Sequence, residues 1–94
     1  MNQLTEEQKQ DLFIKASGVL LTLMIAIQHT NYFNLHNRQV ETDMTKIAKS
    51  KEIELFEEHA GEYKGLQREV MTKAAFYFRS AYARMQRMYN YREN

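Results

Sequence analysis

A chain of 94 residues fits one small domain, and a domain this short buries a smaller fraction of its surface than a longer one does. Without cysteine it has neither disulfides nor thiolate metal sites to supplement the core, nothing points to an oxidising compartment, and the cytoplasm is the default expectation. The formal net charge of +1 selects no class of partner, but the charge is unevenly placed: residues 1–63 hold 6 Lys and Arg against 10 Asp and Glu, and residues 64–94 hold 7 against 2.

Proline is absent and the three glycines are Gly18, Gly61 and Gly65. A β-rich chain of this length needs several turns built from Gly, Pro, Asn and Asp, so the expected class is all-α: a single domain of three helices, or a long helical hairpin. There is no internal repeat, low-complexity tract or Gly/Ser-rich linker to divide it.

The opening residues, Met1 to Glu7, are acidic where a signal peptide needs positive charge, so secretion is not expected. A first helix is predicted from Thr5 to about Tyr32. The Thr5 hydroxyl suits the free amides of a helix start, and Gln8, three residues on, completes a capping-box pattern. Glu6 and Glu7 suit the positive end of the helix dipole. The most apolar run, Ala16 to Ile27 with Lys15 before it, is shorter than the roughly 20 residues of a bilayer span, so no membrane span is expected. Gln8, Asp11, Lys15, Gly18, Thr22 and His29 form one narrow polar or small-residue stripe, and almost everything else from Leu12 to Ile27 is apolar. A helix apolar over most of its circumference has to be covered from several sides, which two other short helices can hardly do. The expectation is self-association through this helix into a homo-oligomeric bundle, with Gly18 allowing close approach.

Asn31, Asn34, His36 and Asn37 read as the connection to a second helix over Glu41 to Ala60. Val40, Met44, Ile47, Ala48 and Leu55 share one face of it, whereas Phe56, Ala60 and Tyr63 are rotated away. The stripe therefore slips near Ser50 and Lys51, which predicts a kink or contact with two different neighbours. Gly61 and Gly65 mark the next break, with a continuous bent helix as the alternative. The third helix runs from Leu66 to Tyr91, and its apolar arc comprises Leu66, Val70, Met71, Ala74, Tyr77, Phe78, Ala81, Tyr82, Met85, Met88 and Tyr89.

No nucleophile arrangement is apparent. Ser17, Ser50 and Ser80 lie within predicted helices without a glycine-rich elbow, and three scattered glycines make no phosphate loop. Helical bundles build di-metal sites from Glu and Glu-x-x-His motifs. Here Glu54, Glu57, Glu58, His59 and Glu62 cluster on the second helix, yet position 56, three before His59, is phenylalanine, so the spacing fails. His59 and Glu62 share a face; His29 and His36 read as surface or capping residues. No cofactor is implied.

The most informative surface lies opposite the apolar arc of the third helix: Arg68, Thr72, Phe76, Arg79, Ala83, Arg87 and Asn90, with Lys73 and Ser80 alongside. Phe76 stands among cations, and a polar-face phenylalanine so placed can stack a base or anchor a protein partner. Arg84 and Arg92 fall inside or beside the arc, where their stems can pack. The candidate binding residues are Arg68, Lys73, Phe76, Arg79, Arg84 and Arg87. A plainer reading makes the aromatics core and pairs the arginines with the acids between Glu52 and Glu62.

These proportions suit a small, non-enzymatic regulator, inhibitor or adaptor of bacterial or phage type that binds a protein partner and acts by occlusion or scaffolding. Nucleic acid, a nucleotide or another anionic ligand on the third helix is one alternative; a metal-binding helical bundle is another.

Overall fold

The computed structural model describes residues 3–28 and 38–93, with side chains described within 3–24 and 42–87. The predicted extension of the first helix to Tyr32, the polar connection, His29 and His36, and the side chains of Val40, Met88, Tyr89 and Arg92 lie outside the described residues.

Among the described residues the chain is all-α and holds four helices: α1 (Glu6–Gln28), α2 (Arg38–Ser50), α3 (Glu52–His59) and α4 (Gly65–Glu93), with a 3-10 turn at Ala60–Glu62 between the last two. This corrects the predicted count of three. The segment read as one helix over Glu41 to Ala60 is divided at Lys51, which takes a left-handed conformation with φ 63° and ψ 19°. Ser50 caps the break from both sides: its hydroxyl donates to the Ile47 carbonyl (2.7 Å) and accepts from the Glu52 amide (3.3 Å). Because α3 restarts in a new direction, Met44 from α2 and Ile53, Phe56 and Tyr63 from beyond the break all reach the core. Leu55, predicted to share the face of Met44, is left exposed.

The start of α1 is the predicted capping box. The Thr5 hydroxyl accepts from the Gln8 amide (3.1 Å), and the Gln8 side chain accepts from the Thr5 amide (2.9 Å), satisfying two donors that a helix start otherwise leaves open. Two long-range bonds fasten this end to the corner between α3 and α4. The Leu4 amide donates to Glu62 (2.8 Å), and the Tyr63 hydroxyl donates to the Lys9 carbonyl (2.8 Å). The Lys9 ammonium also lies 5.5 Å from the centre of the Tyr63 ring, within reach of a cation–π contact.

From this shared corner α1 and α4 run side by side, while α3 folds back along α4. At roughly 1.5 Å per residue, the 29 residues of α4 account for most of the molecule's 45 Å long dimension; the others are 26 and 17 Å. The core is built from Leu12, Ala16, Val19 and Leu23 of α1, from Met44, Ile53, Phe56 and Tyr63, and from Met71, Ala74, Ala75, Phe78, Ala81 and Met85 of α4. The α1 positions recur at steps of four, three and four, a single helical stripe. Its neighbours thus cover only one face, and Ile14, Leu21 and Met24 remain exposed. On α4 the apolar arc is narrower than predicted. Leu66 and Tyr77 lie beyond the edge of the arc by helical angle, and both are exposed, whereas Ala75 is buried.

Among the described residues no helix is long and apolar enough to cross a membrane.

Candidate functional site

All six candidate residues, Arg68, Lys73, Phe76, Arg79, Arg84 and Arg87, lie on α4 and are exposed. Helical spacing separates them as much as it gathers them. Arg68 and Arg87 are 19 positions apart, roughly 28 Å along the axis, so they are the two ends of a face and not one cluster. Phe76 stands between them and is 64% exposed, an unusual state for so large an apolar side chain amid cations. Its ring meets that of Tyr77 edge-on at 5.5 Å. Arg84, predicted to pack beside the apolar arc, is exposed between the buried Ala81 and Met85.

Arg79 and Lys73 are already engaged within the protein. Arg79 forms a fork with Glu57 of α3, its Nε donating to Oε2 (2.7 Å) and its terminal nitrogen to Oε1 (2.6 Å). That pairing holds the Glu57 carboxyl below the usual carboxylate range and raises the Arg79 guanidinium further. Both side chains are about half exposed, so the pair contributes no more than about 1 kcal/mol. Lys73 meets Glu69 one turn earlier (2.7 Å), and hydrogen bonding to that carboxylate raises its own pKa.

Beside Phe76, between α3 and α4, runs an open groove of about 630 Å³ lined by Glu57, Ala60, Thr72, Ala75, Phe76, Arg79 and Ser80. Ala60, Ala75 and the Phe76 ring give the groove an apolar lining, and the Arg79–Glu57 pair contributes its charged part. A second hollow of about 360 Å³, whose lining includes Ala48, Ile53, Phe78, Tyr82 and Gln86, lies on the far side of Arg79. Sequence periodicity identified Phe76 and Arg79 but not the groove. Its other wall comes from α3, and only the break at Lys51 and the turn at Ala60–Glu62 bring that helix alongside.

The acidic cluster of the second predicted helix is dispersed by the same geometry. Glu57 turns to Arg79, whereas Glu62 turns inward, accepting from Leu4 and pairing with the buried His59. The hydrogen bond from His59, followed by that from the Leu4 amide, lowers the Glu62 pKa. Among the described residues no group of three or more His, Asp or Glu is placed to hold a metal ion. Comparison with known protein families, with characterised proteins and with solved structures gave no match.

Proposed function

We propose that this chain is a small non-enzymatic regulator or adaptor that docks a protein partner on the outer face of α4, with Phe76 as the anchor. The supporting observation is the exposed Phe76 ring beside an apolar-floored groove whose adjoining cations, Lys73 and Arg79, are already paired with carboxylates. Interface anchors are enriched in aromatics that fill pockets. A nucleic-acid face instead gains its affinity from cations available to phosphates, and pairing in the protein weakens that alternative. Arg68 and Arg87 form no ion pair among the described residues, and they flank the anchor as rim charges that favour a partner with acidic edges. Occlusion or scaffolding is the mode of action. Self-association through α1, placing several α4 faces in one particle, is part of the same reading.

The test compares affinity capture by the native chain, by Phe76→Ala and by the pair Arg79→Glu with Arg87→Glu. A partner retained by the native chain and lost with Phe76→Ala, at unchanged helical circular dichroism, supports the reading. Capture that is indifferent to Phe76 refutes it. Binding of a single-stranded oligonucleotide that weakens steeply with salt and disappears in the double charge reversal establishes the nucleic-acid alternative in its place.

A further inference from the structure

Arg79 and the Glu57 carboxylate it holds stand between the two hollows: Arg79 lines both, and Glu57 lines the larger. On α4 the lining runs from Thr72 to Gln86, about 21 Å along the axis. At about 100° per residue, Arg68, Thr72, Arg79, Ala83 and Gln86 fall within roughly 60° of one another. The hollows are therefore two parts of one groove on one side of α4. Phe76 and Arg87 form the outer lip of that side, whereas Lys73 and Arg84 lie on the other side of Phe76. The opposite lip is acidic. Glu54 and Glu57 of α3 line the hollows, and Glu58, exposed one turn after Glu54, continues them.

Two lips of opposite sign select the occupant. A nucleic acid or other polyanion meets the glutamates of α3, a polycation meets the arginines of α4, and like charges brought together oppose binding. An extended peptide has no edge to join, because the described residues contain no strand. A helix fits both the charges and the length. Arg68 and Arg87 are 19 positions apart, about 28 Å, which is the length of roughly 18 helical residues. The middles of the two stretches of α4 lining, near positions 76 and 82, are about 9 Å apart along the axis. That lies between the roughly 6 Å separating i from i+4 and the roughly 10 Å separating i from i+7, so one apolar stripe of i, i+4 and i+7 reaches both hollows.

Resting on the docking of a protein partner at Phe76, we infer that the groove seats an amphipathic helix of that partner whose apolar stripe carries acidic residues along one flank and basic residues along the other. The acidic flank faces Arg68, Arg79 and Arg87, and the basic flank faces Glu54, Glu57 and Glu58. The stripe rests on Ala60 and Phe76 in the larger hollow and on Tyr82 and Ala83 in the smaller. The Arg79–Glu57 pair, about half exposed, lies under the middle of the helix and offers it both charges. Because the lips differ in sign, they also set the direction of the partner helix: exchanging its flanks turns it end for end.

Three dye-labelled synthetic helices of about 18 residues test this by fluorescence anisotropy. They share one leucine stripe and differ only in its flanks: glutamate on one side and lysine on the other, glutamate on both, or lysine on both. The native chain is expected to bind the mixed-flank peptide at least about tenfold more tightly than either single-sign peptide, the sum of several modest rim pairs. Phe76→Ala, at unchanged helical circular dichroism, weakens that binding at least about thirtyfold. Glu54→Lys with Glu58→Lys moves the preference to the all-glutamate peptide. These three results support the inference. Phe76-dependent binding by the native chain without a preference for mixed flanks overturns the inference and leaves the docking face in place. Failure of all three peptides also overturns it, and capture of a partner that still depends on Phe76 separates that outcome from failure of the docking reading. Peptide binding indifferent to Phe76 overturns both, as does tighter binding of a single-stranded oligonucleotide than of any peptide.

Discussion

Replacing Lys51 by glycine tests the break between α2 and α3 by the sign of its effect. Lys51 is exposed and left-handed, with φ 63°, so the substitution acts on the backbone and not on packing. A residue bearing a Cβ in that conformation costs about 1–2 kcal/mol. Glycine avoids the cost but loses about 0.5–1 kcal/mol more conformational entropy on folding. The balance is a gain of about 0.5–1 kcal/mol, which in a domain of this size raises the melting temperature by about 2–8 °C. Lys51→Ala retains the Cβ and shifts stability by less than about 0.5 kcal/mol. If the helix instead ran unbroken through position 51, glycine would lower stability by about 1 kcal/mol relative to alanine. Thermal and urea unfolding followed by far-ultraviolet circular dichroism, at one fixed protein concentration because the proposed self-association would couple to stability, separates the two. A Lys51→Gly protein that melts below Lys51→Ala refutes the left-handed junction.

Two other glycines give an opposed pair. Gly65 has φ 58° with open space around it, so Gly65→Ala introduces backbone strain alone and destabilises by about 1 kcal/mol. Gly61 has neither a positive φ nor a neighbour in the way, and Gly61→Ala stabilises by about 0.4–1 kcal/mol; the same unfolding curves report both. Phe56 is fully buried, and Phe56→Ala costs about 3–5 kcal/mol, visible as loss of the native transition on modest heating. Glu62 and Glu57 have folded pKa values below their unfolded ones. Their contribution is therefore complete above the unfolded carboxylate range and is lost as pH falls through the depressed folded values. Glu62→Gln should flatten the acid limb of stability against pH, and an unchanged limb would refute its part in it.

What the sequence discloses is what neighbouring residues decide among themselves. The Thr5–Gln8 box, the slip at Ser50 and Lys51 and the glycine break before α4 all rest on interactions spanning at most a few residues, and each is present. Phe76 is legible for the same reason, since its exposure follows from its angle on one helix. The side of α1 that gains cover is not legible, because almost every position from Leu12 to Ile27 is apolar and only the placement of α4 selects Leu12, Ala16, Val19 and Leu23 over Ile14, Leu21 and Met24. Leu55 escapes burial because its helix has restarted at Lys51, and Leu66 and Tyr77 because they lie beyond the edge of the buried arc of α4. Tyr63 looks like ordinary core until its hydroxyl is seen to reach Lys9, 54 positions away.

The fastening of α1 to the α3–α4 corner bears on which motions can be observed separately. The first turn of a helix ordinarily frays on its own, and its amide protons exchange with solvent accordingly. Here the Leu4 amide is held by a carboxylate 58 positions along the chain. Its exchange is therefore tied to the opening of a distant corner, and a single amide at the start of the chain becomes a clock for the release of the α3–α4 turn.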